Sequence, residues 1–75
     1  MNRDLLESLS EAVETLREET GLDADALFGE RVLEPAQMST RAAYAAGVIE
    51  GAAIALGVTA LELLDGVARS AQRQF

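Results

Sequence analysis

Sixteen consecutive residues in the middle of the chain, Ala42–Gly57, read AAYAAGVIEGAAIALG and carry a single charge, Glu50. Alanine is the strongest helix former, and a helix with small side chains can be approached closely by other helices. The run is shorter than the roughly 20 apolar residues that span a bilayer, and Glu50 stands near its centre. We therefore interpret it as a close-packed helix of a globular protein and not as a membrane span.

Small residues recur at every fourth position of this helix. Gly47 and Gly51 form a G-x-x-x-G pattern, which Ala43 and Ala55 extend at the same spacing. Each glycine costs about 1 kcal/mol relative to alanine within a helix, so we expect a close helix contact that offsets this cost. Because a chain of this length buries only about 60% of its unfolded surface, that contact is expected to be with a second copy.

The sequence thus predicts a symmetric homodimer with this helix at or near the interface. The residues assigned to self-association are Ala43, Gly47, Gly51, Ala55, Tyr44 and Val48. The larger apolar residues of the helix are expected to face the protein's own core, on one broad side shared by Met38, Tyr44, Val48, Ile49 and Leu56. Glu50 has two interpretations: it lies on an exposed strip, or it is partly buried and paired with an arginine such as Arg41, Arg69 or Arg73.

Apolar periodicity along the rest of the chain predicts an all-α fold in one domain, residues 1–75. We expect helices at about 3–20, 23–28, 37–56 and 59–73, forming a small bundle of three main helices plus one short helical turn. Asn2 and Gly21 are the expected caps of the first helix, Asp23 and Gly29 those of the short one, and Thr59 with Glu62 forms a capping box. The β-branched cluster GVIEG is enclosed by glycines and alanines, so it does not favour a strand.

The last helix has apolar residues at a helical spacing of three and four. The residues of this predicted core stripe are Leu61, Leu64, Ala68, Ala71 and Phe75. Gly66 is the weak point of the helix, costing about 1 kcal/mol relative to alanine, and the sequence leaves open whether the helix is continuous there or has a kink or an early end.

The net charge of −7 lies entirely in the first half of the chain, where ten acids up to Glu34 stand against three arginines. Five of the acids follow the first helix at steps of three and four, almost opposite its apolar stripe: Asp4, Glu7, Glu11, Glu14 and Glu18. Such a face repels nucleic acid and anionic membranes and attracts basic protein surfaces. We assign these five residues and Glu50 to partner binding, and the alternative is a solvated face that reflects genome composition or salt adaptation.

The residue types restrict the chemistry that the chain could perform. It has no cysteine and no histidine, so thiolate and imidazole ligands, nucleophiles and general bases are missing. Carboxylates on a regular helix do not converge as the oxygens of a calcium loop do. We expect no enzyme activity, no cofactor and no metal. The charged N-terminal residues do not resemble a signal peptide, so we expect a cytoplasmic protein.

One local resemblance concerns the segment IALGVTALELL, Ile54–Leu64, which resembles the closing helices of repressor-type helix-turn-helix domains. LREETGL, Leu16–Leu22, resembles the end of their first helix. The resemblance covers under a third of the chain and implies a DNA-binding regulator. Between the two segments the only cations are Arg31 and Arg41.

The sequence is therefore compatible with three functions. The first is a small acidic, dimeric, non-enzymatic interaction module that docks on a basic surface of a larger partner, as phage-type inhibitors and nucleic-acid mimics do. The second is a structural or adaptor subunit of a larger assembly, such as a virion or a macromolecular complex. The third is a degenerate helix-turn-helix regulator.

Overall fold

The computed structural model describes residues 2–30 and 34–74, and within these residues every regular element is helical. Helix α1 spans Arg3–Thr20, α2 Ala24–Glu30, α3 Thr40–Leu56 and α4 Ala60–Gln74, and a 3-10 turn, Pro35–Gln37, precedes α3. The predicted all-α fold is confirmed. Its arrangement follows from how the two ends of each helix are capped and from which face of each helix is buried.

Helix α1 begins and ends at the predicted residues because both caps form. The Asn2 side chain accepts hydrogen bonds from the backbone N–H groups of Asp4, at 2.8 Å, and Leu5, at 3.2 Å. At the other end Gly21 adopts a left-handed conformation, with φ 74°, and donates its N–H to the Arg17 carbonyl. Both caps satisfy backbone groups that a helix end otherwise leaves without partners.

The corner between α3 and α4 is also formed by local hydrogen bonds. Gly57 ends α3 in the left-handed region, with φ 72°. Thr59 Oγ1 accepts from the Glu62 N–H at 3.1 Å and Glu62 Oε1 accepts from the Thr59 N–H at 3.3 Å, which is the predicted capping box. The two helices meet at 97°. Helix α4 continues without a break through Gly66, where a kink or an early end was possible.

One predicted boundary is wrong: Gly29 does not end α2, since the helix continues to Glu30. Helix α2 begins directly after Asp23, whose carbonyl accepts from the N–H groups of Ala26 and Leu27, while its side chain contacts Arg17. The start of α3, expected at about residue 37 and no later than Thr40, lies at Thr40, because the Ser39 hydroxyl accepts from the Ala42 N–H at 3.2 Å and acts as the cap. The 3-10 turn occupies the residues before it.

The core forms where α1 packs on α3, the most extensive helix contact in the described structure. Helix α1 supplies large side chains and α3 mainly small ones; the buried residues of the two helices are Leu6, Leu9, Ala12, Leu16, Ala42, Ala45, Ile49 and Ala53. Large side chains fit against small ones because protein interiors are densely packed. The alanines of α3 therefore make the close contact with α1, on the side of the helix opposite to its glycines.

The core face predicted for α3 is accordingly wrong in part. Ile49 is fully buried and Met38 and Val48 are half-buried, but Tyr44 is 76% exposed and Leu56 is 52% exposed. Leu56 lies on the buried side but is the last residue of the helix, whereas Tyr44 is exposed because α3 has apolar residues on two opposite sides. Periodicity shows both, whereas the fit to the leucines of α1 decides which one is buried.

The core stripe of α4 is rotated from the predicted one. Leu64 is buried as expected, together with Leu63 and Val67, but Leu61 is 45% exposed and Ala68 is exposed as well. Packing of α4 against α1, α2 and α3 together selects this neighbouring arc of apolar residues. Ala71, Arg73 and Phe75 lie outside the residues whose side chains the structure describes.

The left-handed cap at Gly57 generates a prediction about stability. Gly57→Ala is expected to lower the free energy of unfolding by about 1–2 kcal/mol, because a side chain strains this backbone conformation. Urea denaturation followed by circular dichroism measures the change. Ser10→Ala, at an exposed position within α1, is the control and should change the stability by less than about 0.5 kcal/mol.

Candidate interaction surfaces

The side of α3 that faces away from α1 is an uncharged surface. Its exposed residues are Tyr44, Gly47, Gly51, Ile54 and Ala55, with Ala43 and Val48 half-buried at its edges. At about 100° per residue these positions lie opposite the buried alanines. Ile54 is 80% exposed, more than any other large apolar residue of the described structure. We call this surface the outer face of α3.

The two glycines of the outer face are not required by packing within one protomer. A Cβ atom built on Gly47 or on Gly51 meets no atom within 4 Å in the described structure. Both lie inside a helix with ordinary backbone conformation, where glycine is less favourable than alanine. The small-residue groove formed by Ala43, Gly47, Gly51 and Ala55 is thus open to solvent along its glycines.

Grooves flank the outer face on both sides and extend its apolar surface. One, of about 630 Å³, lies between α1 and α3 and includes Tyr44 and Val48 in its lining. The other, of about 410 Å³, lies at the α3–α4 corner and is lined by Phe28, Ile54 and Val58 among others, with Glu50 at its edge. A partner on the outer face could therefore insert side chains on either side of α3.

The five acids predicted on α1 form a continuous exposed face. Asp4, Glu7, Glu11, Glu14 and Glu18 are all exposed. Arg3 pairs with Glu7 at 3.6 Å, and Arg17 pairs with Glu14 at 3.9 Å, both on the surface. Glu11 and Glu18 form no ion pair with an arginine of the described residues. Because α1 packs on α3 through its leucines, this acidic face of α1 points away from the core.

Glu50 agrees with the first of its two interpretations. It is exposed on α3, between the outer face and the corner groove. Two of the arginines considered for it have other partners, since Arg41 lies 3.9 Å from Glu19 and Arg69 lies 2.9 Å from Asp65. The third, Arg73, lies outside the described side chains.

The α3–α4 corner has the geometry of a helix-turn-helix, in which two helices joined by a short turn meet at about 90–120°. The resemblance places the base-reading helix between Leu22 and Ile54, but if this corner served as the helix-turn-helix, the first turns of α4 would hold the base-reading positions. They carry Glu62 and Asp65, both exposed. Carboxylates at these positions repel the phosphates of DNA.

Two further features concern metals and membranes. In residues 2–30 and 34–74 no group of three or more acidic side chains is arranged to hold a metal ion. No single described helix is long and apolar enough to cross a membrane. The segments Thr40–Leu56 and Ala60–Ser70 meet those criteria only when they are taken together, across their 97° bend.

Ile54, Val58 and Leu61 belong to the exposed apolar surface, but the sequence analysis did not assign them to a site. A signal for Ile54 is present in the sequence, since Gly47 and Ile54 are seven residues apart, as are Tyr44 and Gly51, which is the spacing of a helix-contact seam. Val58 follows the end of α3, so helical spacing does not place it. Leu61 is on the next helix, so only the angle of the corner brings it near.

Comparison with known proteins finds no matching family model, no matching curated protein and no matching solved structure. The surfaces described above are therefore interpreted from their own chemistry.

Tyr44 provides a direct measurement of the outer face, because the chain has one tyrosine and no tryptophan. In dilute solution its fluorescence is expected to be quenched by acrylamide almost as strongly as that of free tyrosine, since the side chain is mostly exposed. Strong protection in a dilute sample that is monomeric by light scattering would contradict the exposure of Tyr44.

Proposed function

We propose that the chain is a non-enzymatic protein–protein interaction module: a symmetric homodimer joined through the outer face of α3, whose acidic α1 faces dock on a basic surface of a larger partner. The observation that carries the dimer is the exposure of Tyr44 and Ile54 beside two glycines that one protomer does not require. Exposed apolar patches of this kind mark interaction sites in globular proteins.

The dimensions of the outer face support a second copy as its occupant. A stable interface covers about 800 Å² of each partner, which is about a sixth of the 5103 Å² exposed by this protomer. A 17-residue helix is about 25 Å long, and the flanking grooves widen the apolar area on both of its sides. A two-fold axis through the outer face brings the glycines of both copies together, so that two helices can approach closely.

The acidic face of α1 supports a basic partner. Helical spacing places it opposite the leucines that pack on α3, so dimerisation leaves most of its acids accessible. Glu11 alone among the five lines the α1–α3 groove together with Tyr44. Two copies carry a net charge of −14, twice the −7 of one chain, and a charge of this size accelerates association with a basic protein at low ionic strength. A partner with a nucleic-acid-binding surface would be blocked by such docking, which is the action of an inhibitor or a nucleic-acid mimic.

A second candidate is a structural or adaptor subunit of a larger assembly. The observation in its favour is that the outer face continues into two grooves with different linings, so a different protein could also occupy it. In that case the acids serve solubility.

A regulator that binds DNA through the α3–α4 corner is disfavoured by Glu62 and Asp65, and absence of a gel shift at low salt would exclude it.

The dimer is tested by Gly47→Leu and Gly51→Leu. Each is expected to keep the helical circular dichroism spectrum, because no described atom lies near the added side chain and leucine favours helix over glycine. Each should also produce a monomer in sedimentation velocity, because the added side chain separates the two helices. Ser10→Leu places the same side chain on α1, outside the outer face, and should leave the dimer intact. A Gly51→Leu protein that stays dimeric would refute this interface.

The acidic face is tested by reversing charge at Glu7 and Glu11 in a pull-down from the native host. The double variant Glu7→Lys/Glu11→Lys should lose the basic protein that co-purifies with the wild type, because the charge complementarity is reversed. Glu30→Lys/Glu34→Lys makes the same change in net charge at exposed sites outside the α1 face, and should retain the partner. Equal loss in both variants would mean that net charge alone determines binding.

A further inference from the structure

A third groove, of about 540 Å³, lies between α1 and α4 and has an apolar floor. The side chains of this floor are Val13, Ala24, Leu61, Leu64, Val67 and Ala68. Leu61 and Ala68 are exposed and Val13 is half-buried, so part of this apolar surface is in contact with solvent. We call it the α1–α4 groove.

The rim of the α1–α4 groove is acidic. Glu14, Asp23, Asp25 and Asp65 surround the floor, and Arg17 is the one cation among the residues that line it. The rim therefore has a net charge of −3. All four carboxylates are exposed. They can therefore turn toward a ligand without the free-energy cost of breaking a buried ion pair.

Arg17 indicates what kind of group these carboxylates accept. Its Nε lies 3.2 Å from Asp23 Oδ1, and one terminal nitrogen lies 3.9 Å from Glu14 Oε2. Guanidinium groups of the chain itself thus occupy three of the four rim positions, since Arg69 also lies 2.9 Å from Asp65. An arginine or lysine of a partner can make the same charge-assisted contacts.

We propose that the α1–α4 groove binds a basic amphipathic segment of a partner protein, with its apolar side chains on the floor and its lysines or arginines on the rim. This rests on the proposed function only in that the partner is basic. It adds that the partner contributes an apolar anchor and that α4 takes part in binding. Helices with one apolar side commonly bind in grooves in this way.

Charge complementarity selects this occupant over the alternatives. A second copy would bring a net charge of −7 to an acidic rim, and nucleic acid would bring phosphates. The α1–α4 groove shares no lining residue with the outer face of α3 or with the α1–α3 groove, and it shares only Leu61 with the groove at the α3–α4 corner. A dimer whose contact does not extend to Leu61 would therefore present two such grooves.

The first test measures binding of a dye-labelled synthetic helix of leucine and lysine, with all leucines on one side, by fluorescence anisotropy at low ionic strength. Asp25→Lys/Asp65→Lys should weaken binding by about tenfold or more, because two attractive contacts become repulsive. Glu30→Lys/Glu34→Lys matches the change in net charge away from the groove and should weaken binding clearly less. Equal weakening by both pairs would overturn the groove while leaving a general attraction for basic partners.

A second variant tests the floor without changing charge, and circular dichroism first verifies that each variant is folded. Ala68→Trp should fill the groove and weaken binding of the same peptide by about tenfold or more, since the leucines lose their site. Ala36→Trp, in the exposed turn before α3, should have no effect. If Gly51→Leu weakens binding and Ala68→Trp does not, the peptide binds the outer face of α3 and the proposal is wrong.

A substitution of Arg17 tests the rim by an expected increase in peptide binding, where the preceding variants are expected to weaken it. Arg17→Ala should strengthen peptide binding by about two- to fivefold, because it releases Glu14 and Asp23 for the lysines of the ligand. Arg41→Ala removes the same charge beside Glu19, on the α3 side, and should change binding less. Equal effects would overturn the role of the rim. Loss of binding in Glu7→Lys/Glu11→Lys, but in none of the groove variants, would support the acidic face of α1 and exclude the groove.

Discussion

The contact between the leucines of α1 and the alanines of α3 determines where every other surface of the protein lies. Leu9 and Leu16 are fully buried in this contact, and Ala42 and Ala45 allow α1 to approach α3 closely. Because α3 buries its alanines, its glycines must face outward. Because α1 buries its leucines, its acids must also face outward, and of the five only Glu11 reaches the groove between α1 and α3. The packing of α1 on α3 thus separates the uncharged outer face of α3 from the acidic face of α1.

The separation of charge along the chain becomes a separation in space. Most acids lie on α1 and α2, whereas α3 has only Arg41 and Glu50, which border its outer face. The ion pairs of the described residues join exposed side chains, except that the Glu19 side chain beside Arg41 is half-buried, and exposed pairs contribute only about 0–1 kcal/mol each. The fold is therefore held by apolar packing and helix caps, and its charges remain available for interaction with other molecules.

The α3–α4 corner has the angle of a helix-turn-helix but lacks the basic residues with which such motifs bind DNA. Gly57 and the Thr59–Glu62 capping box produce the 97° turn, and the same hydrogen bonds suit any compact helical protein. The capping box uses Glu62 in the first turn of α4, and Asp65 about one turn later forms an ion pair with Arg69. The helix that would enter a DNA groove is thus acidic where it would need to be basic.

The sequence by itself determined the helical class, the ends of α1, the caps of the α3–α4 corner and the acidic side of α1. These features depend on residues close together in the chain, so their physical causes are visible in the spacing. Only the tertiary structure decided which of the two apolar sides of α3 is buried, and that Leu61 and Ala68 are exposed. Both sides have helical periodicity, and the choice depends on the fit of side chains from distant helices. The α1–α4 groove has the same origin, since Asp25 and Asp65 lie 40 residues apart and only the packing of α1, α2 and α4 places them on one rim.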